Sequence, residues 1–172
     1  MAESNNSLSR FLDKISIATG RATAWLTLLM VLITFLIVIL RYAFDIGAIW
    51  LQQSLTWMHA AVFMLGAAYT LQDDGHVRVD IFYRDMSDRN KAWVNLFGVL
   101  FFLFPLCGFF LFESFNYVVA AWKIGEVSRD AGGLPYPAIP LLKSILILMP
   151  LAVALQGLSM LLNAANTLFG RS

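Results

Sequence analysis

Four stretches of this 172-residue chain contain no Asp, Glu, Lys or Arg: Ala22 to Leu40 over 19 residues, Ile46 to Gln72 over 27, Ala92 to Phe112 over 21, and Ser144 to Gly170 over 27. A helix of about 20 apolar residues matches the roughly 30 Å hydrocarbon core of a bilayer, so each stretch is long enough to cross, the longer ones with tilt. Inside lipid every backbone amide needs a partner within the protein, which leaves helices or a closed barrel, and these runs lack the alternation of barrel strands. The expectation is an all-α integral membrane protein with four transmembrane helices, at 22–40, 46–72, 92–122 and 144–170, in a single membrane domain over 1–172. Composition agrees: 59% of residues are hydrophobic and 13% charged, against about 25% charged in an ordinary soluble domain. A soluble four-helix bundle would need polar outer faces, and Thr27 to Leu40 is apolar nearly all round. The first stretch is also too long for a signal peptide and lacks a small-residue cleavage site.

Ahead of the first span, residues 7–19 place Leu8, Phe11, Leu12 and Ile15 at the i, i+3, i+4, i+7 spacing of one helix face. This predicts an N-terminal amphipathic helix, capped by Ser7, lying on the membrane surface before the chain turns inward. With four spans, the N-terminal tail, the 73–91 loop and the C-terminus share one side. That side carries eight Lys and Arg against four on the other. The positive-inside rule then places both termini in the cytoplasm.

In the third span Glu113 follows Ala92 by 21 residues, about 32 Å along a helix, so it falls near the far interface. Continuing to Trp122 makes a helix longer than the bilayer is thick, which must tilt or project. Eight phenylalanines lie between Phe97 and Phe115 and fit acyl chains or another protein equally well. Pro105 and Pro150 each remove an amide donor and predict kinks.

Little in the chain can do chemistry. The net charge of +1 comes with no basic run, which argues against nucleic acid. Cys107 stands alone in an apolar stretch and can build neither a disulfide nor a thiolate metal site. The two histidines, His59 and His76, are 17 residues apart, about 25 Å on a helical path, so they cannot jointly ligate a haem. No catalytic motif or glycine-rich phosphate loop is present. No catalytic, metal or cofactor-binding residue is expected, and no enzymatic activity. His59 itself reads either as a proton or substrate contact or as a hydrogen bond to a neighbouring helix. The second reading is favoured because Gln52, Thr56, His59, Gly66 and Thr70 fall in one narrow sector, as a packing stripe would. Gln156, Ser159, Asn163 and Asn166 form a comparable face on the last span. With no internal repeat and no acidic residue in the middle of any span, the chain is a poor transporter alone and reads as a scaffold for a larger partner.

The first loop reads RYAFDIGAIWLQQS and the end of the second span GAAYTLQDDGHVRVDIF. Together these resemble the small membrane subunit, the DctQ-type protein, of tripartite ATP-independent periplasmic (TRAP) transporters. The resemblance is carried by Arg41, Tyr42, Phe44, Trp50, Gly66, Ala67, His76, Val77, Val79 and Asp80. The later Gly132, Gly133, Leu134 and Pro135 are similar to some members, and nearly the whole chain is covered. It implies a bacterial inner-membrane protein of a sodium-coupled symporter. A periplasmic substrate-binding protein captures a small organic acid, a large multi-span permease subunit carries it, and the small subunit buttresses the large one, without ATP or cofactor. Family members commonly open the second helix with an acidic pair after the tryptophan, where this chain has Gln52 and Gln53. Amides can hydrogen-bond across helices but form no ion pair.

Candidate partner contacts are therefore Arg41, Trp50, Gln52, Gln53, His59, Arg129 and Asp130. Arg41 reads equally as a snorkelling interfacial cation, a topology determinant or a contact to the large subunit. His76, Arg78 and Asp80 read as a solvated elbow, with Val77, Val79 and Ile81 against the membrane surface. The loop from Lys123 to Lys143 would face the periplasm, its turns fixed by glycines and prolines, and offers Arg129 and Asp130 to the binding protein. The rival reading is a cofactor-free membrane anchor of a multisubunit redox enzyme.

Overall fold

The computed structural model describes residues 7–75 and 83–169. Among the described residues there are helices and turns and no strand. We name the helices α1 (Ser7–Phe44), α2 (Ile49–Gln72), α3 (Asp88–Lys123) and α4 (Ala138–Phe169). The elbow residues His76 to Ile81 fall outside the described residues.

The helices run up, down, up and down. Gly20 of α1 meets Tyr69 of α2, Ser9 of α1 meets Asn163 of α4, and Trp122 of α3 meets Ser144 of α4, each an antiparallel pairing. α1, α2 and α4 pack against one another, whereas α3 packs mainly along α4, so α4 has a substantial contact with each of the other three.

Three helices, α1, α3 and α4, are long and apolar enough to cross a membrane, where the sequence led us to expect four. The shortfall is α2. Its 24 residues suffice in length, but Gln52, Gln53, His59 and Gln72 dilute its hydropathy. The expected interfacial helix is also corrected. Residues 7–19 do not form a separate amphipathic element; they are the first third of α1, a continuous helix of 38 residues, about 57 Å long. The helix is apolar overall, and of the expected apolar face only Leu12 is buried. Leu8, Phe11 and Ile15 are 48%, 60% and 43% exposed, while Ser9 and Ser16 are buried.

That tendency is general. Much of the buried set is small or polar (Ser9, Ser16, Gly20, Thr23, Ala61, Ala68, Ala121, Gln156, Gly157, Ser159), beside a few larger apolar residues such as Leu12, Leu51, Met58 and Ile145, whereas Trp25, Phe35, Phe63, Phe102 and Phe112 stand out from the surface. Small residues let backbones approach, and in lipid there is no gain from hiding large apolar groups between helices. Two glycines show the approach directly. A Cβ at Gly20 would overlap the Tyr69 ring, and one at Gly157 would overlap the Leu103 side chain.

Local chemistry sets the breaks. α1 stops where Asp45 takes a left-handed conformation (φ 54°) and the Ile46 amide donates to the Leu40 carbonyl at 2.9 Å. α2 ends in a Schellman arrangement: Asp74 is left-handed (φ 58°), and the Gly75 and Asp74 amides donate to the carbonyls of Thr70 and Leu71. Within α3, Val99–Leu103 is a π-helical turn in which the Phe104 amide donates to the Val99 carbonyl. Pro105 follows directly and has no N–H to give the Phe101 carbonyl, which is where a helix is most easily widened.

Candidate partner interface

The structure sorts the polar residues into two internal clasps and one outward face. The first clasp joins the N-terminal third of α1 to the C-terminal third of α4. The Asp13 carboxylate accepts from the Ser159 hydroxyl at 2.7 Å and from Gln156 Nε2 at 2.9 Å. Ser16 donates to Gln156 Oε1 at 2.6 Å, Ser9 donates to Asn163 Oδ1 at 2.9 Å, and the Ser9 and Ser159 hydroxyls lie 2.7 Å apart. The face expected on the last span thus finds its partner inside the chain, apart from Asn166, which is exposed. Its partners Ser9, Asp13 and Ser16 were missed from sequence. Their signal is the 4-3-4-3 spacing of Ser9, Asp13, Ser16, Gly20 and Thr23, a seam of small and polar side chains.

The second clasp holds the 124–137 connection to the start of α2. Gln53 is used from both ends: Nε2 donates to Ser128 Oγ and to Asp130 Oδ2, each at 2.7 Å, and Oε1 accepts from the Leu134 amide at 2.8 Å. Gly133 lies so close that a Cβ would overlap Ser128. Below it, Lys143 pairs with Glu126 at 2.5 Å and sits 3.9 Å from the centre of the Tyr117 ring. Two indole N–H groups tie the same end, Trp57 to the Ala138 carbonyl at 3.0 Å and Trp122 to Ser144 Oγ at 2.9 Å.

Of the residues expected to touch a partner, Gln53 and Asp130 are therefore brought together, and they fasten the chain to itself. Arg41, Trp50, Gln52, His59 and Arg129 are exposed. The expected α2 stripe divides. Gly66 and Thr70 are half-buried, with Gly66 beside Thr23 of α1, whereas Gln52, Thr56 and His59 face outward and the His59 ring rests 5.3 Å from that of Phe63. His59 is near the midpoint of α2, so an outward imidazole and amide stand beside surface that is otherwise large and apolar.

Amides, hydroxyls and single carboxylates at such spacings hold helices and loops together. The profile of the DctQ component of tripartite ATP-independent periplasmic transporters matches residues 30–168. The chain belongs to that family. The DctQ match takes in both clasps on the α4 and α2 sides but begins after Ser9, Asp13 and Ser16, so half of the α1–α4 clasp lies outside it. No curated protein and no solved structure matches the chain. As a DctQ component it is a membrane protein and part of a transporter.

Proposed function

We propose that this chain is the scaffold subunit of a sodium-coupled TRAP importer, bracing the large permease subunit while a periplasmic binding protein delivers a small organic acid. The observation that carries the reading is the family match across most of the chain. Its fit with the fold is mechanical. A scaffold must resist being dragged by a moving neighbour, and a 38-residue α1 tied to α4 through six side chains is stiff and deeply embedded. In this reading α2 runs at membrane depth beside α1 and α4, and its outward Gln52, Thr56 and His59 meet polar groups of the large subunit, since hydrocarbon offers them no hydrogen bond. Arg41 and Trp50 extend that contact at the periplasmic end of the same helices, both termini face the cytoplasm of the bacterial inner membrane, and Arg129 contacts the binding protein.

Reconstituting the large subunit into proteoliposomes with and without this chain tests the proposal. Binding-protein-dependent uptake that requires the chain is expected, and equal uptake in both preparations would defeat the scaffold role. For the docking contact, Arg129→Glu is the better probe than any change at Asp130, because Asp130 also holds Gln53. It should lower binding-protein-dependent uptake, and unchanged kinetics would reduce Arg129 to a solvated turn residue.

A further inference from the structure

Between the start of α3 and the end of α4 lies an open cavity of 390 Å³ lined on its polar side by Asp88, Lys91, Asn95, Asn163 and Thr167. This volume is within the range of small-molecule sites, about 300 to 1,000 Å³. Its depth in the molecule is fixed by the sequence: Lys91 is the last charge before the uncharged run that begins at Ala92. The cavity thus sits where a headgroup layer meets hydrocarbon, and its inner wall is apolar, formed by Met160 and Ala164.

The hydrogen bonds around it decide what it can hold. Asn95 Oδ1 accepts from the Tyr83 hydroxyl at 3.2 Å and Asn163 Oδ1 from Ser9 at 2.9 Å. Both amides are pinned by their oxygens, and each keeps an NH₂ that makes no hydrogen bond among the described residues. With the Lys91 ammonium these are donors for an anion. Asp88, exposed in the first turn of α3, and Thr167, whose hydroxyl proton goes to the Asn163 carbonyl at 3.0 Å, present acceptors instead. One cavity therefore offers three donors and, beside them, a carboxylate and a hydroxyl oxygen.

We propose that this cavity binds the headgroup of a zwitterionic phospholipid bearing a primary amine, its phosphate taken by Lys91, Asn95 and Asn163 and its ammonium by Asp88 and Thr167. A quaternary choline has no N–H to give Asp88. A headgroup with only negative charge would set its anion beside that carboxylate without a cation between them. A free phosphoethanolamine shares the chemistry, but the apolar wall beneath the polar ring fits an acyl-bearing molecule. The bound lipid would seal α3, which leans mainly on α4, to the rest of the bundle at that end.

The test is native mass spectrometry of the purified full chain titrated with phosphatidylethanolamine, phosphatidylcholine and phosphatidylglycerol of one acyl composition. The ethanolamine lipid should give adducts at least fivefold more abundant than the choline lipid, Lys91→Gln should reduce them several-fold, and Lys91→Arg should retain them. Asp88→Asn should erase the preference over phosphatidylglycerol. Equal adducts with all three lipids in the unaltered chain would leave only unspecific annular lipid and overturn the site, whether or not the variants fold. Displacement of the bound lipid by soluble phosphoethanolamine at millimolar concentration would equally overturn the assignment to a lipid.

Discussion

Asp13 accepts from both Ser159 and Gln156 at the buried contact of α1 and α4. Removing it leaves Gln156 Nε2 without its acceptor, while the Ser159 hydroxyl can still turn to Ser9, and an unmet buried donor costs about 1 to 3 kcal/mol. Asp13→Ala should lower the stability of the detergent-solubilised chain by about that amount, read by thermal unfolding, with Asp13→Asn losing less because its Oδ1 still accepts. Equal stability of Asp13→Ala and the unaltered chain would mean the clasp contributes nothing. Gln53 allows a sharper test, because it donates at one end and accepts at the other. Gln53→Glu keeps the acceptor for the Leu134 amide but sets a carboxylate against Asp130, so the 124–137 connection should open and become several-fold more sensitive to limited proteolysis; pairing the change with Asp130→Asn should recover part of the protection. At this scale the sequence was half legible. A polar face on the last span can be read from Gln156, Ser159 and Asn163, but the spacing of Leu8, Phe11, Leu12 and Ile15 reads as the apolar face of a separate surface helix, where the structure has one long helix that buries only Leu12 of the four. In lipid large side chains gain nothing from being covered, and Ser9 and Ser16 join Leu12 in the interior.

Helical structure throughout follows from uncharged runs in a chain without strand alternation. The lengths of the helices do not follow as simply. Charge marks where a side chain needs water, while the backbone goes on coiling: Asp88 and Lys91 lie within the first turn of α3, and Lys123 closes it. Gly20 and Arg21 look like a joint between a surface helix and a span, yet α1 runs straight through them. The reason is Tyr69, whose ring fills the space over Gly20 and leaves no room for a Cβ. The glycine serves helix contact, not a bend. The same logic separates two glycines on the α3–α4 side. Gly157 admits Leu103, whereas nothing lies near a Cβ at Gly108. Gly157→Val should therefore force α3 away from α4 and destabilise the chain by about 1 to 3 kcal/mol, the usual cost of overpacking, while Gly108→Ala is neutral or slightly stabilising. Equal thermal unfolding of the two variants would show that α3 tolerates a looser seat.

As a whole the molecule is built for a solvent it shares with other helices: many small and polar groups inside, most of the large aromatic groups outside, and a polar strip on α2 turned outward. That strip is why α2 is less apolar than the other long helices, and it raises the one question of topology that composition leaves open, whether the second helix crosses. The pairings at its two ends bear on it. Tyr69, near one end of α2, sits on Gly20, while Gln53, near the other, reaches the connection after α3. On the proposed reading, with α2 at membrane depth, those two ends are expected on opposite sides of the bilayer. Single cysteines at Gly47, Asp85 and Val127, introduced after Cys107→Ser, make this measurable, since Asp85 and Val127 are exposed and a Cβ at Gly47 meets nothing. An impermeant maleimide added to intact spheroplasts should label the cysteines at 47 and 127 and reach the one at 85 only after the membrane is opened. Labelling at 47 and 85 from the same side would mean that α2 does not cross, leaving α1, α3 and α4 as the spans and the polar strip of α2 at the surface.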